Sequence, residues 1–505
     1  MGRVSSYQQL FSQAKMKNLV LLQPKIGEMD FLRTHPALPL GLLHASSLVA
    51  QKYEIRFLDQ RLNQKLENSL PNLIDQDTVL VGVTSFTGPM ILEALKMCAT
   101  IRKIHNVPIV WGGVHPSLLS EDTLRDNRVD IVIRGEGEVT LLELTEALLR
   151  GNPLENIKGI SYRQNGGIKS NPEREFSDLD LLPDLPYHLI NVKQYLPLYR
   201  GQRSFYFQAS RGCPSACTFC YNANFNRRKW RKIAAGQVIA RLQAAKQHYG
   251  VENIYFVDDN FFLDFDWCRE IMAGLKNLRL SWQIQGVDVT SLKRMDDDFL
   301  ASLVESGCLR ITLGVESGSP RVRKLMGKGE TVEEVGEQIS RLKPFPLSVY
   351  CSFIVGFPGE EEEDLRLTLQ LILGLKRSNP RVQISPLYSY TPYPGTLMFD
   401  TAAREGYDIP DSLEGWGRTG GWDQEKKNRS GRENSSRLAK LYFLSNFLDR
   451  KAREYNAPRW VNFIVSIYRP VAEFRIKHFF FFLLFERNLA QLLRFFWVRV
   501  RRYRR

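Results

Sequence analysis

Apolar positions in residues 18–150 recur as short runs separated by amphipathic stretches. Residues 78–86, TVLVGVTSF, form a continuous β-branched run of the kind that fills a parallel sheet buried on both faces. Similar runs predict further strands at 18–25, 54–60, 107–113 and 129–138, and the stretches between them predict helices at 40–51 and 90–104. This alternation predicts a doubly wound, open parallel sheet of the flavodoxin or Rossmann kind.

The same alternation begins again at Ser204, after a stretch rich in Asn, Gly, Pro and Asp that contains turn signals but no long period. Six strands are predicted there, at 204–210, 253–259, 280–286, 310–317, 347–356 and 381–390. Helical stretches separate them, at 235–249, 266–278, 296–306, 332–343 and 361–377. Six β/α units in succession would curl into a barrel or most of one, so we expect a partial (β/α)6 TIM barrel.

These patterns divide the chain into four parts. We expect a Rossmann-like α/β domain at 1–150, a linker at 151–203, the partial barrel at 204–406 and a C-terminal region at 407–505, in which helical character returns near Ser436. No run of about 18 apolar residues occurs, which argues against a spanning helix. The polar N-terminus lacks the apolar core of a secretory signal.

Three of the seven cysteines lie within eight residues, in the segment RGCPSACTFCYN at 211–222. The other four are dispersed in apolar surroundings, which is typical of buried thiols in a reducing compartment rather than of a disulfide framework. We therefore expect a cytoplasmic protein with one metal site.

The thiolates of Cys213, Cys217 and Cys220 can hold one iron–sulfur cube, because cysteine thiolates are the usual ligands of such clusters. A [4Fe–4S] cube has four irons, so three cysteines leave one iron open for another ligand. The alternative is a zinc site, which would usually need a fourth Cys or His nearby. His188 and His248 are the nearest histidines in sequence, and neither stands at ligand-like spacing.

The CxxxCxxC spacing, with an aromatic residue before its last cysteine, resembles the radical S-adenosylmethionine (SAM) superfamily. Segments at the predicted strand ends resemble it too: FVDDNFF at 256–262, GVESGS at 314–319, IVGFPGEEEED at 354–364 and YSYTPYPGT at 388–396. The resemblance implies that the open iron binds SAM, whose reductive cleavage gives a 5′-deoxyadenosyl radical. The residues that it implies as SAM contacts are Phe219, Asp259, Glu316, Ser317 and Gly356. The aspartate and the glycine could equally serve as a turn and a strand cap.

Glycine-rich turns follow the predicted strands of the N-terminal sheet, where an open parallel sheet binds its ligands. PALPLGLLHASS, GVTSFT, WGGVHPS and RGEGE, ahead of such a barrel, resemble the cobalamin-binding domain of the B12-dependent radical SAM group. The implied cobalamin contacts are Ser85, Gly112, Gly113, His115, Gly135 and Glu136. The Asp-x-His-x-x-Gly signature is replaced by Asp59-Gln60-Arg61-Leu62-Asn63, so the lower cobalt ligand is not a histidine from that loop. A domain that kept the fold and lost the corrin is the alternative.

Most of the net charge of +14 lies at the end of the chain, since residues 459–505 carry eleven Lys and Arg against two Glu. Residues 474–505 contain an apolar run at 479–485, after which Arg and aromatic residues are interleaved. Such a composition predicts a peripheral contact with the inner membrane surface. A helix packed on the barrel and an RNA-binding tail are the alternatives; no RNA-binding fold accompanies the tail, so a nucleic-acid partner is not expected.

The resemblance implies three cofactors: a [4Fe–4S] cluster, SAM and cobalamin. It predicts a radical SAM methyltransferase acting on an unactivated carbon of a small-molecule or lipid-like, membrane-associated substrate, with flavodoxin or ferredoxin as external reductant. An oxidative cyclase or rearrangement enzyme of the anaerobic magnesium-protoporphyrin monomethyl ester cyclase type is the second hypothesis. A non-catalytic sensor of B12 or SAM is the third. A methylthiotransferase fits less well, because the other four cysteines are too dispersed for a second cluster.

Overall fold

The first sheet begins with five parallel strands. The computed structural model describes residues 17–26, 30, 35–62, 66–419, 432–448 and 459–481. The five strands are β1 (Asn18–Gln23), β2 (Glu54–Asp59), β3 (Thr78–Thr84), β4 (Ile109–Gly112) and β5 (Ile131–Ile133). They lie in the order β2-β1-β3-β4-β5. The helices of this part are Leu40–Ser46, Leu66–Leu73, Met90–Ile104, Val114–Leu118, Ser120–Leu124 and Glu138–Arg150.

Alternate residues of β1 and β3 enter two different apolar clusters, one on each face of the sheet. Val20 and Val81 pack with the helix Met90–Ile104, whereas Leu19 and Leu80 pack against the helix Glu138–Arg150. Both faces are therefore covered, which is why the strands read as continuous apolar runs. The predicted doubly wound sheet is confirmed.

The first sheet continues beyond residue 150, into the segment for which the sequence pattern predicts a linker. The strands β6 (Ile160–Gln164) and β7 (Gly167–Ser170) form a hairpin that pairs antiparallel with β5. Asn165 and Gly166 at its tip have φ of 51° and 78°, as a two-residue turn of type I′ requires. The rest of the segment runs through short 3₁₀ turns to the second sheet.

The second sheet contains six parallel strands in chain order, and it is the predicted partial barrel. Its strands and their neighbours are β8 (Leu198–Tyr199), β9 (Gln202–Phe207), β10 (Ser210–Arg211), β11 (Arg231–Lys232), β12 (Asn253–Phe256), β13 (Ser281–Val287), β14 (Cys308–Glu316), β15 (Ser348–Val355), β16 (Val382–Ile384) and β17 (Tyr388–Ser389). The parallel six are β9, β12, β13, β14, β15 and β16. Within the described residues β9 and β16 are not paired with each other, so the sheet is an open half-barrel.

Helices cover the outer face of this half-barrel. The main apolar cluster of the half-barrel contains no residue from the short helices Asn222–Phe225, Pro320–Leu325 and Leu397–Arg404. The helices that contribute to it from between the strands are Ala235–Tyr249, Phe265–Asn277, Val289–Arg294, Asp297–Glu305, Val332–Arg341 and Glu362–Ser378. The outward residues of the strands are apolar and pack on them, among them Phe205, Ile254, Trp282, Ile311 and Val349. The residues between these point inward and are polar or aromatic, and one row in register contains Tyr206, Tyr255, Gln283 and Arg310. The half-barrel therefore has an apolar outside and a polar inside.

The C-terminal region is divided between the two sheets. The short helix Leu413–Gly417 returns to the first domain, where Trp416 joins the apolar cluster of Trp111. The helices Arg432–Ser445 and Arg459–Lys477 pack on the half-barrel instead. In the described part of the chain no helix is both long and apolar enough to cross a bilayer. Residues 482–505, which hold most of the predicted basic tail, lie outside the described residues.

Candidate active site

The cysteine loop, residues 212–230, leaves the half-barrel after β9 and is closed at its base by the pairing of β10 with β11. Gly212 opens the loop with φ of 88°, and a Cβ there would lie 1.9 Å from the carbonyl oxygen of Lys229. No other residue fits this crossing, so the loop is closed tightly at its first residue. Cys213, Cys217 and Cys220 follow as half-buried, unpaired thiols.

Thr218, between the last two cysteines, ties the loop to two neighbouring elements. Its backbone N–H donates to the carbonyl of Met326 over 3.0 Å, and its hydroxyl donates to the carbonyl of Leu325 over 2.8 Å. Its own carbonyl accepts a hydrogen bond of 2.8 Å from the N–H of Met398. The loop is thus held between the helix that follows β14 and the helix Leu397–Arg404.

Two aspartates after β12 hold the start of the loop. Asp258 is buried and accepts hydrogen bonds from the N–H groups of Ala209 and Ser210, and burial raises its pKa to about 7. Asp259, an expected SAM contact, accepts a hydrogen bond of 2.9 Å from the N–H of Gly212, and burial raises its pKa as well. The carboxylate of Asp259 therefore positions the cysteine loop, and its SAM contact stays a prediction.

Asn260 belongs to the segment FVDDNFF, and its position in the sequence allowed either a site residue or part of a helix cap and turn. Its amide nitrogen lies 3.7 Å from Sγ of Cys213 and 2.7 Å from a carboxylate oxygen of Asp288. The backbone carbonyl of Asn260 accepts a hydrogen bond of 2.7 Å from the indole N–H of Trp230, at the far end of the loop. These contacts place Asn260 beside the cysteine loop, at the strand end that the segment FVDDNFF had marked.

The donor set fits a cluster rather than a single ion. Burial raises the pKa of Cys220 to about 12. Burial also raises the pKa of Cys217, and the positive charge of Lys328 opposes that shift. Iron stabilises the thiolate form, so cluster binding would deprotonate these thiols. Over the described residues no three His, Cys, Asp or Glu side chains form a group for one metal ion. A [4Fe–4S] cube does not need such a group, since each thiolate binds a different iron.

Glu316, at the carboxyl end of β14, has two features of a ligand-binding residue. Its φ of 69° is rare for a residue with a side chain, and its buried Oε2 has no hydrogen-bond partner within the part of the chain that the structure describes. Oε1 accepts a hydrogen bond of 3.0 Å from the hydroxyl of Ser352. Burial raises the pKa of the carboxyl, and the nearby Lys328 opposes that shift. Strain and an unpartnered oxygen together support the predicted SAM contact.

The other three expected SAM contacts make contacts within the protein. The ring of Phe219 packs edge-on against Phe357, with 5.7 Å between centroids. The hydroxyl of Ser317 is buried and lies 3.2 Å from that of Thr368. Gly356, with φ of 77°, accepts a hydrogen bond of 2.8 Å on its carbonyl from the hydroxyl of Tyr407. These contacts shape the rim of the half-barrel, and contact with SAM stays a prediction for each.

Glycine turns stand at the carboxyl ends of β3, β4 and β5, as expected. The N–H of Ser85 donates to the carbonyl of Gly112 over 2.9 Å. Gly113 has φ of 104°, and a Cβ there would lie 2.5 Å from the carbonyl oxygen of Ser85. Gly135 has φ of 72° and open space where a Cβ would stand. The turns are therefore close to one another and leave a ligand room at the edge where such sheets bind cofactors.

His115, an expected cobalamin contact, is buried rather than exposed to water. Its Nδ1 lies 3.0 Å from the hydroxyl of Thr87, and its ring packs edge-on against Trp416 with 5.8 Å between centroids. Burial lowers its pKa to about 4, so the imidazole is neutral at pH 7. Nε2 has no hydrogen-bond partner among the described residues.

The loop after β2, where a lower cobalt ligand would be sought, contains a buried ion pair. Arg61 donates to Asp59 over 2.6 Å, and the same carboxylate accepts a hydrogen bond of 2.9 Å from the hydroxyl of Tyr195. A guanidinium therefore occupies the place at which the Asp-x-His-x-x-Gly signature has its histidine.

Glu136, the last of the expected cobalamin contacts, joins the two domains. Its carboxylate pairs with Arg211 over 2.8 Å and with Arg231 over 2.7 Å, at the two strands that close the cysteine loop. Arg211 also donates to Glu138 and to Nδ1 of His44, each over 2.7 Å. We call these five residues the interdomain network. They fix the cysteine loop against the glycine turns of the first sheet.

A cavity of about 240 Å³ lies beside the interdomain network. Its walls come from the first domain, from the segment after β7 and from the cysteine loop, and they include Ser117, Gly135, Glu136, Phe176, Asn224 and Arg227. The carboxyl ends of the two sheets therefore enclose common space.

Comparison with known families agrees with this arrangement. Residues 207–372 match the family model of the radical SAM superfamily, and residues 34–145 match that of the B12 binding domain. An uncharacterized methyltransferase from Pyrococcus horikoshii is 30% identical over 393 residues, which cover 77% of this chain and 83% of the relative. The chain belongs to the radical SAM superfamily, in the group that carries a B12-binding domain.

Two further similarities concern one curated relative and one solved structure. The anaerobic magnesium-protoporphyrin IX monomethyl ester cyclase of Synechocystis is 24% identical over 375 residues, which cover 72% of this chain and 73% of the relative. The cobalamin-dependent SAM radical enzyme OxsB, solved with aqua-cobalamin bound, has the same fold, with a TM-score of 0.70 and 18% identity over 97% of this chain and 76% of that one. Membership in this family implies a [4Fe–4S] cluster, SAM and cobalamin as cofactors.

Proposed function

We propose that this protein is a cobalamin-dependent radical SAM C-methyltransferase that acts on an unactivated carbon. The observation that carries the proposal is the interdomain network. Arg211 stands two residues before Cys213 and pairs with Glu136 and Glu138, which follow β5. A cofactor held by the cysteine loop would therefore face a cofactor held by the glycine turns, as a reaction shared between the two requires.

The chain's own residues have separate roles in this proposal. Cys213, Cys217 and Cys220 would hold the cluster, and Glu316 would accept a hydrogen bond from the amino group of SAM. When bound, the cluster and SAM supply a 5′-deoxyadenosyl radical, and cobalamin supplies the methyl group. The interdomain network would keep the cysteine loop and the glycine turns in register.

The inner face of the half-barrel indicates the chemistry of the substrate. Three buried oxygens on β13, β14 and β16 have no hydrogen-bond partner among the described residues: Oε1 of Gln283, Oγ1 of Thr312 and Oε1 of Gln383. Buried polar atoms are normally paired, so these would bind hydrogen-bonding groups of a ligand. We propose that the reacting part of the substrate is polar and that its remainder, as the C-terminal composition suggests, is lipid-like.

Two partners complete the proposal. Cleavage of SAM consumes an electron, which we assign to a small reduced carrier such as flavodoxin or ferredoxin. The basic, aromatic C-terminal region would place the enzyme at the cytoplasmic face of a membrane, where a lipid-like substrate is available.

The test uses anaerobically reconstituted protein, dithionite and SAM that carries a deuterated methyl group, incubated with the polar lipid fraction of cells. We expect 5′-deoxyadenosine and a product in which one CD3 group replaces a hydrogen, both absent with Cys217→Ala. Release of 5′-deoxyadenosine without any labelled product would contradict methyl transfer. Absence of both from the unaltered protein would support a non-catalytic sensor.

Oxidative ring closure of the cyclase type is the second candidate, favoured by the similarity to the Synechocystis cyclase. It would use the same cysteine loop and the same cavity between the domains. Mass spectrometry separates the two reactions, because a cyclase product contains no methyl group from SAM. Release of 5′-deoxyadenosine together with an unlabelled, oxidised product would select the cyclase.

A further inference from the structure

The helix Arg459–Lys477 packs on the half-barrel through one apolar face and exposes a second apolar face to solvent. Its buried side contains Val465, Ala472 and Ile476, and the helix contacts Glu362–Ser378. A surface helix normally carries polar residues on the side away from the core. This helix carries its polar residues Ser466, Arg469 and Glu473 along one flank, and large apolar side chains form the rest of its outer face.

The outer face is formed by five large apolar side chains at helical spacing. Their exposed fractions are high: Phe463 66%, Ile464 48%, Ile467 60%, Val471 42% and Phe474 58%. Most lie three or four residues apart, so they form one stripe along the helix. We call these five residues the apolar stripe. Its contiguity distinguishes it from scattered exposed apolar residues, which need no explanation.

Charge next to the stripe indicates what covers it. Lys477 is exposed at the end of the helix. Residues 482–505, which follow in sequence, carry seven Arg and one Glu and interleave them with aromatic residues. Apolar side chains that are followed in sequence by many cations and almost no anions are complementary to an anionic bilayer, which offers phosphates above and acyl chains below.

We propose that the apolar stripe is a membrane-docking surface that lies in the headgroup region of an anionic bilayer. The helix itself does not cross the bilayer, as its hydropathy shows. The inference extends the proposed membrane contact from the basic tail to a defined surface. It would bring the half-barrel to the bilayer, because the opposite side of the same helix packs on the core of that domain.

The experiment measures binding of the full chain to vesicles by flotation, with phosphatidylglycerol mixed into phosphatidylcholine or left out. Ile467→Glu and Phe474→Glu should each weaken binding to the anionic vesicles more than tenfold, because a carboxylate would enter the headgroup region. Leu181→Glu is the matched control: Leu181 is 81% exposed on another part of the surface, so the same substitution should leave binding unchanged. Omitting phosphatidylglycerol should weaken binding of the unaltered chain.

Three outcomes would overturn the proposal. Equal vesicle binding by Ile467→Glu and the unaltered chain would show that the stripe does not dock. An equal loss of vesicle binding with Leu181→Glu would show that the added negative charge, rather than its position on the stripe, weakens binding. A dimer by light scattering that becomes a monomer with Ile467→Glu would show that a second copy covers the stripe. Release of 5′-deoxyadenosine, measured beside these, shows that the variants fold and tests the proposed reaction separately.

Discussion

Replacing Arg211 by alanine removes the centre of the interdomain network. Its guanidinium pairs with Glu136 and Glu138 and donates to His44. Glu136 keeps Arg231 in the variant, so the loss falls mainly on Glu138, whose side chain is 2% exposed. Burial holds the pKa of His44 well below its ordinary value, so that imidazole brings no compensating charge.

The expected loss is large because both partners are buried. Removing one member of a buried ion pair costs about 3–5 kcal/mol, since the other charge is left without a partner. At about 1.4 kcal/mol per factor of ten, local opening of the interface should become more frequent by at least a hundredfold. Arg269, which pairs with the largely exposed Asp266, is the matched control; surface pairs contribute about 0–1 kcal/mol, so Arg269→Ala should change little.

Hydrogen exchange of backbone amides measures this opening directly. We expect faster exchange in peptides that cover 134–138 and 209–213 of Arg211→Ala, and unchanged exchange in the same peptides of Arg269→Ala. Replacing Glu138 by glutamine in the Arg211→Ala background should recover most of the protection, because no unpaired charge remains. Equal exchange in Arg211→Ala and in the unaltered chain would refute the assignment of the network as the link between the domains.

Three further results follow from the site. Gly212→Ala should abolish iron binding by the reconstituted protein, since its Cβ would overlap the Lys229 carbonyl; Gly201→Ala, at φ of 83° with open space, should keep its iron, and equal loss from both would contradict the clash argument. Glu316→Gln should weaken SAM binding about 10- to 100-fold in equilibrium dialysis, with little change in stability because no described residue pairs with Oε2; unchanged affinity would remove Glu316 from the SAM site. His115 has a folded-state pKa of about 4, below its unfolded value, so the unfolded chain binds more protons between pH 4 and 6.5 and stability falls as pH falls through that range. The free energy of unfolding, measured with urea at several pH values, should depend less on pH in His115→Gln over that range. An unaltered pH dependence would contradict the burial of a neutral imidazole.

The β/α order of both domains follows from the sequence because it depends on the local period of apolar residues. The helix Ala235–Tyr249 matches its predicted range, and β14 ends at Glu316 as expected. Three thiols in one loop can likewise be recognised from spacing alone. These features involve residues that are near one another in the chain, where periodicity and turn chemistry are informative.

Long-range contacts could not be predicted in the same way. Glu136 stands in a glycine-rich turn that suits a ligand, and nothing near it in sequence shows that Arg211, 75 residues later, pairs with it. The same holds for Trp416, which packs against His115 from a segment without a clear period. The hairpin at 160–170 is different: its Asn165-Gly166 turn is a strong local signal that the linker interpretation overlooked.

The most direct test of the account is release of 5′-deoxyadenosine by anaerobically reconstituted, dithionite-reduced protein supplied with SAM, with bound iron determined in the same samples. The account predicts about four irons per chain and 5′-deoxyadenosine from the unaltered protein, with neither retained by Cys217→Ala. Undiminished 5′-deoxyadenosine release by Cys217→Ala would contradict the assignment of the cysteine loop as the cluster site.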